Sequence, residues 1–227
     1  MSITTTQLTR VAGFSAIAAG LLFAGVQINH PPLDAAFVTT TEFAVRQGMK
    51  IAMAVLALVG ITGMYLTQVR KAGVLGLIGY VVFAAGYLTM LTVEVAGLVI
   101  IPAIAATDPG YVNDFIAVAT NHTPVGSIGL MTQLNLIAGI GYMAGGLLFG
   151  IALFRAGVLA RWASILLAVA TTITLAIALL PMVNQRLFAI PTAVALVGLG
   201  WSLVRSARDS VGVSPQASRS PETSLVR

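Results

Sequence analysis

The sequence predicts an all-α fold, a polytopic membrane bundle of six transmembrane helices with both termini in the cytoplasm. The first observation is composition: 58% of the residues are hydrophobic and only 8% are charged, which excludes an ordinary soluble domain. The second is a series of six apolar runs, each of the length that a membrane-spanning helix needs. The third is the placement of the basic residues, which concentrate at alternate ends of these runs.

The six apolar runs divide the chain into one membrane domain and a tail. The domain covers residues 1–204, and its predicted spans cover about 11–28, 49–68, 73–101, 130–153, 162–180 and 187–204. Residues 205–227 are rich in Ser, Pro and Arg, which predicts a disordered cytoplasmic tail.

The first span follows Arg10 and is expected to remain in the mature protein. Its run of 18 residues, 11–28, is longer than the hydrophobic region of about 7–15 residues that is typical of signal peptides. A signal peptide that is cut near Ala24 is the alternative. Small residues at every fourth position predict a face that another helix can approach closely; they are Ala12, Ala16, Gly20 and Ala24.

The second helix is predicted to begin near Thr40, at the interface before its span. Thr39 and Glu42 have the spacing of a capping box, in which the Thr side chain is the N-cap and the Glu is the third helical residue. Glu42 and Arg46 are four residues apart, so they are expected to pair on the helix surface.

Glu94 is the only charged residue in the third span, and its depth can be estimated. The 21 residues from Gly73 to Glu94 rise about 31 Å at about 1.5 Å per residue, which is roughly the thickness of the hydrocarbon core. Glu94 is therefore predicted to lie at the outer rim. The residues after it, 95–101, remain apolar, which predicts that its side chain turns into the bundle.

A carboxylate that turns into the bundle needs a polar partner, because an unpaired buried charge is costly. Arginines are the preferred partners, since they can pair bidentately with a carboxylate. Lysine, histidine and amide side chains of the outer half are the other candidates. The candidate partners are Arg46, Lys50, Arg186, His30, His122, Gln133 and Asn135.

The longest predicted loop is 102–128, and it precedes a glycine-rich fourth helix. Asp108 and Pro109 have the pattern of an N-cap followed by proline at the first helical position, which predicts a short amphipathic helix on the outer surface. Two GxxxG pairs in the fourth helix predict close packing against another helix. Their glycines are Gly141, Gly145, Gly146 and Gly150.

The orientation follows from the lysines and arginines, which are more frequent in cytoplasmic loops. The loop 102–128 contains none of them and is predicted to be outside. The ends predicted to be cytoplasmic hold Arg10, Arg70, Lys71, Arg155, Arg161, Arg205 and Arg208. The ends predicted to be outside hold Arg46, Lys50 and Arg186.

Two short segments recur in the chain. Residues 71–75 read KAGVL and residues 155–159 read RAGVL, while GLLF occurs at 20–23 and again at 146–149. Three plus three helices would form an inverted repeat, as in some transporters. The two recurrences imply different registers, so a duplication and a chance similarity both stay open.

The segment Phe154–Trp162, with the sequence FRAGVLARW, carries a family resemblance. Together with the loop 30–32 and the closing segment 198–203, it resembles uncharacterised six-helix integral membrane proteins of bacteria, of the actinobacterial type. The resemblance implies the six-helix layout and no known activity. It carries over no catalytic residue.

Several classes of function are disfavoured by the sequence. The chain has no cysteine, which excludes disulfides and thiolate metal sites. The basic residues lie at helix ends without interleaved aromatics, so no nucleic-acid partner is predicted. No metalloprotease or serine-hydrolase motif is present, and the histidine spacing is not diagnostic of zinc. The sequence therefore predicts no enzyme, no metal and no cofactor.

Three classes of function remain. The first is a non-catalytic structural, regulatory or accessory membrane protein, in contact with the lipid bilayer and with a protein partner or a second copy through its glycine-rich faces. The alternative is a transporter or binder of a small or lipidic molecule at an outer mouth near Glu94. The second alternative is an intramembrane lipid-modifying enzyme. The candidate ligand-binding residues are Glu94, Arg46, His30, His122, Gln133 and Asn135.

Overall fold

The computed structural model describes residues 3–28, 33–120, 122–173 and 189–212. All regular structure in these residues is helical, which confirms the predicted α-helical bundle. The helices are α1 (Thr5–Gly25), α2 (Thr41–Leu66), α3 (Val69–Val99), α4 (Ile101–Ile104), α5 (Pro109–Ala119), α6 (Met131–Ala156), α7 (Arg161–Ile173) and α8 (Ala189–Gly212). A single 3₁₀ turn, Phe37–Thr39, precedes α2.

Five of the described helices are long and apolar enough to cross a membrane, with α3 and α4 counted as one continuous span. The others are α1, α2, α6 and α8. The predicted span 162–180 corresponds to α7, which is described only as far as Ile173, so its second part lies outside the described residues. Helix α8 continues to Gly212 and therefore extends past the predicted boundary at residue 204. Residues 213–227 of the predicted tail lie outside the described residues.

The long helices form a ring that follows the order of the chain. Helix α2 packs between α1 and α3, α6 packs between α3 and α7, and α8 packs between α7 and α1. Gly13 of α1 lies against Gly200 and Val204 of α8, so the start of α1 and the end of α8 are at the same end of the ring. We call the other end, which carries α4 and α5, the α5 end.

Glycines set the closest helix contacts, as the sequence predicted. A Cβ added to Gly86 of α3 would lie 2.6 Å from the carbonyl carbon of Gly141 on α6, which means that the two backbones touch. Gly145 lies against the backbone of Phe83, and a Cβ on Gly146 would lie 2.5 Å from Cγ2 of Thr171 on α7. The glycine face of α6 is therefore covered by α3 and α7 of the same chain.

The small residues of α1 also serve packing inside the chain. A Cβ on Gly60 of α2 would lie 2.8 Å from the Cβ of Ala16, and a Cβ on Gly20 would lie 2.6 Å from the carbonyl oxygen of Ala193 on α8. Ala12 and Ala16 are buried, while Ala24 is only half-buried. Helix α1 thus contacts α2 and α8 at backbone distance over its middle turns.

The start of α2 differs by one residue from the prediction. Thr40 is the N-cap, and its Oγ1 accepts a hydrogen bond from the Phe43 amide at 3.2 Å. Thr39 ends the 3₁₀ turn, and its hydroxyl donates to the Ala36 carbonyl at 2.9 Å instead. The predicted capping box with Thr39 is therefore wrong.

Three other local predictions are confirmed. Arg46 pairs with Glu42 at 2.8 Å. Asp108 caps α5, because its Oδ1 accepts from the Tyr111 amide at 2.9 Å. Helix α5 buries one face, as expected for an amphipathic surface helix.

The packed interior has two parts. The larger part fills the centre of the ring and the end opposite α5, and its fully buried side chains include Ile61, Met64, Phe83, Phe149 and Leu199. The smaller part lies under α5 and joins the 3₁₀ turn to α4 and α5; its members include Val38, Phe43, Ile101, Val112 and Phe115. The candidate site lies between these two clusters.

Candidate functional site

Glu94 forms a closed polar cluster with two residues of α2. Its Oε2 accepts a hydrogen bond from Gln47 Nε2 at 2.7 Å and lies 3.4 Å from Lys50 Nζ. Lys50 Nζ in turn donates to Gln47 Oε1 at 2.9 Å. We call these three residues the Glu94 cluster.

The backbone positions the Glu94 cluster with little freedom. Gln47 and Lys50 are three residues apart on α2, so both project from one helix face toward α3. Gly97 stands one turn after Glu94, and a Cβ at this position would lie 2.6 Å from Gln47 Nε2. The bare glycine lets the amide of Gln47 lie against α3, where Nε2 is also 3.4 Å from the Glu94 carbonyl oxygen.

The cluster borders a cavity of about 350 Å³ at the α5 end of the ring. This volume is within the range of about 300–1,000 Å³ that small-molecule sites occupy. Most of the wall is apolar, and its aromatic side chains are Phe23, Phe43, Phe115, Tyr87 and Tyr142. The polar side chains of the wall, apart from the tyrosines, are Gln47, Lys50, Glu94 and Asn135.

Aromatic side chains form the floor of the cavity. The rings of Tyr87 and Tyr142 meet edge to face with centroids 6.0 Å apart, and Phe83 lies beneath Tyr87 at 5.0 Å. The Tyr142 hydroxyl donates to Thr192 Oγ1 at 3.0 Å. Phe149, fully buried, continues the packing toward the opposite end, so the described residues close the cavity on that side.

The cover of the cavity comes from the short elements of the α5 end. Val38 of the 3₁₀ turn, Ile101 of α4 and Phe115 of α5 are buried together, and all three line the cavity. Asp114 fastens the segment after α5, because its carboxylate accepts from the amides of Val125 and Gly126 at 2.7 and 2.8 Å. The predicted outer loop is therefore a folded cover.

The predicted partner set of Glu94 is correct for Lys50, whereas the predicted arginine Arg46 pairs elsewhere. Arg46 pairs with Glu42 and donates to the carbonyl oxygens of Val26 and Ile28. It lies one position before Gln47, about 100° around the helix, and this rotation turns it toward the end of α1. Arg186 and His30 lie outside the described residues.

The remaining candidate residues separate into one cavity residue and two surface residues. Asn135 lines the cavity and donates to the Val118 carbonyl at 3.1 Å. His122 is exposed, with Nδ1 3.1 Å from Thr120 Oγ1. Gln133 is exposed on the first turn of α6 and does not line the cavity. Among the described residues, no three acidic or histidine side chains stand close enough to hold a metal ion.

Sequence reasoning missed Gln47 and the two tyrosines of the floor. Gln47 had a local signal, because it lies three residues before Lys50 and therefore on the same face of α2 as a predicted partner of Glu94. Tyr87 and Tyr142 had no such local signal in the sequence, since the contact between them depends on how α3 packs against α6. The Tyr87 hydroxyl forms no hydrogen bond with another described residue, although the ring is 1% exposed.

Comparison with known proteins finds no relative of this chain. No protein-family model matches the chain. No curated protein and no solved structure matches it either. The cavity and the Glu94 cluster are therefore the features of this chain that indicate a function.

Proposed function

We propose that this protein is a multi-pass membrane protein that binds a small amphiphilic molecule in the cavity beside Glu94. The observation that carries the proposal is a largely apolar cavity of about 350 Å³ whose wall contains a partly buried polar cluster. Convergent polar groups in an apolar pocket are the usual composition of a ligand site. A fully packed α5 end would instead have favoured a purely structural role.

We also propose a membrane topology of six spans, with both termini in the cytoplasm of a bacterial cell. The cavity then lies near the outer face of the membrane. Helix α7 supplies the start of the remaining span, since it packs between α6 and α8 in the ring. Both ends of the described chain lie on one side, which an even number of spans requires. The excess of arginine and lysine on that side supports a cytoplasmic assignment.

The packing fits a protein that binds the molecule, or a transporter that opens the cavity to each side of the membrane in turn. It fits an open channel less well. The side chains beyond the floor, including Phe83 and Phe149, are fully buried and leave no continuous path through the described bundle. A lipid-modifying enzyme would need a base or nucleophile in the cavity, and the pairing of Glu94 with Lys50 engages the one carboxylate of the described wall. The glycine faces are used inside the chain, so a second copy would have to dock elsewhere.

Native mass spectrometry of the purified protein tests the proposal. Gly139 lines the cavity on the same face of α6 as Asn135 and Tyr142, and a Cβ there would meet no atom within 4 Å. Gly139→Phe should therefore place its side chain in the cavity, since its Cβ finds open space. Gly48→Phe is the matched control, because Gly48 also has open space around its Cβ but does not line the cavity.

The expected result is a copurifying small molecule on the wild type and on Gly48→Phe that is absent from Gly139→Phe. All three proteins should unfold at similar temperatures in detergent. Retention of the same molecule by Gly139→Phe would mean that it binds elsewhere. If added amphiphiles also bind equally to the wild type and to Gly139→Phe, the cavity is not a binding site.

A further inference from the structure

The charges that face the cavity from the described residues cancel. Lys50 and Glu94 are the only charged residues in its described wall, and their side chains lie 3.4 Å apart. Both are largely buried, with 23% and 18% of the side chain exposed. In so apolar a surrounding, the electrostatic balance of the pair is the main determinant of which head group the cavity accepts.

Each member of the pair keeps part of its hydrogen-bonding capacity. The contacts of the Glu94 carboxylate go through Oε2, so Oε1 has no hydrogen bond with another described residue. The Lys50 ammonium has three donors, of which Gln47 Oε1 and Glu94 Oε2 engage two. The cluster therefore offers a ligand one acceptor and one donor side by side.

We infer that the ligand is a net-neutral amphiphile, with an apolar body and a small uncharged head that both donates and accepts a hydrogen bond, such as a hydroxyl or a carboxamide. Such a head can bond to Oε1 of Glu94 and to Nζ of Lys50 without separating them. A carboxylate or an ammonium head would add one unbalanced charge to a described wall whose own charges already cancel, and rejection by surplus charge is a common source of specificity. This inference rests on the proposed function, because it concerns the same cavity.

A series of amphiphiles that share one alkyl chain and differ only in their head group tests the inference. Decanol and decanamide carry neutral heads, decanoate carries a negative head, and decylammonium carries a positive head. Binding to the wild type and to Gly139→Phe is measured by native mass spectrometry from micelles of an uncharged detergent. The difference between the two proteins removes partition into the micelle and binding at other surfaces.

The expected result is that both neutral probes bind the cavity about tenfold more tightly than either charged probe, which is the effect of about one unfavourable charge interaction in a partly buried site. Equal binding of all heads, or tighter binding of a charged head, would overturn the inference and leave the proposed function intact. No difference between wild type and Gly139→Phe for any probe would overturn both.

Two substitutions should reverse the head preference in opposite directions. Lys50→Met leaves the Glu94 carboxylate unpaired, so decylammonium should become the preferred probe. Glu94→Gln leaves the Lys50 ammonium unpaired, so decanoate should become the preferred probe. The double variant is neutral again and should return to the neutral probes.

Unfolding temperatures establish that each variant retains the bundle before its binding is compared. If a single variant does not fold, the double variant and the wild-type series still decide the question. A single variant that folds and keeps the wild-type preference would show that the pair does not select the head, which contradicts the inference.

Discussion

Gln47 and Glu94 are 47 residues apart in the chain, and a 2.7 Å hydrogen bond from Nε2 to Oε2 joins them across α2 and α3. Gln47 is 4% exposed, so this bond is protected from competing water. The same amide accepts from Lys50 through Oε1 at 2.9 Å. Gln47 therefore holds both members of the ion pair at the wall of the cavity.

Gln47→Leu should lower the free energy of unfolding by about 1.5–3 kcal/mol, the range for a hydrogen bond to a charged group. Leucine has a similar volume, so the loss comes from the missing bonds to Lys50 and Glu94. The measurement is thermal or denaturant unfolding in detergent. Gln133→Leu is the control, because Gln133 is exposed, and it should change stability little. Equal stability of Gln47→Leu and wild type would contradict the prediction.

The surroundings of Glu94 show what the sequence could predict. The apolar residues after it indicated that its side chain turns into the bundle, and the contact with Lys50 confirms a polar partner on the preceding helix. The choice among Arg46, Gln47 and Lys50 depends on the rotation of α2 about its axis. That rotation is set by packing against α1 and α3, at Gly60 for example, and is not encoded in the spacing of polar residues alone.

Gly145→Leu should destabilise the bundle by more than the 1–3 kcal/mol or so that is typical of overpacking. The new side chain would meet the backbone of Phe83, which cannot move aside as a flexible side chain can. Gly146→Leu should also destabilise, since its Cβ would meet Thr171. Gly48→Leu on α2 has open space and is the control. Unfolding of all three variants at the wild-type temperature would refute this account.

The cavity itself was not predictable from the sequence. Its wall combines residues of the six helices α1 to α6 and of the 3₁₀ turn, from Phe23 to Tyr142. An unfilled volume arises only from how these elements meet. The one-residue error at the start of α2 has a similar origin. Thr39 and Thr40 are equally able to cap a helix, and the choice follows from the contact of Phe37 with Phe43, whose rings meet edge to face at 5.8 Å.

Cysteine labelling should show position 125 outside the cell and position 3 inside. Val125 is fully exposed and Ile3 is 76% exposed, so cysteines there should react without disturbing the fold. The chain has no native cysteine. Val125→Cys should react with a membrane-impermeant maleimide in intact cells. Ile3→Cys should react only after permeabilisation. The reverse pattern would invert the proposed orientation, and labelling of both from outside would contradict the three spans that separate the two positions.

The glycines of the two recurrent segments should respond differently to substitution by asparagine. Gly73 and Gly157, the glycines of KAGVL and RAGVL, both have positive φ, at 60° and 63°. Their ψ angles differ: Gly157 has ψ 22°, in the left-handed helical region, whereas Gly73 has ψ −158°. Asparagine tolerates the first region, while the second is essentially restricted to glycine.

Gly157→Ala should therefore cost about 1–2 kcal/mol of unfolding free energy, and Gly157→Asn should recover much of that loss. Gly73→Ala and Gly73→Asn should both cost about 1–3 kcal/mol, with no advantage for asparagine. The Cβ at Gly73 meets no atom within 4 Å, so its cost would come from backbone conformation alone. Gly48→Ala, in the interior of α2, is the control and should be neutral or stabilising. Recovery by asparagine at both positions would mean that Gly73 and Gly157 share one backbone conformation, contrary to their ψ angles.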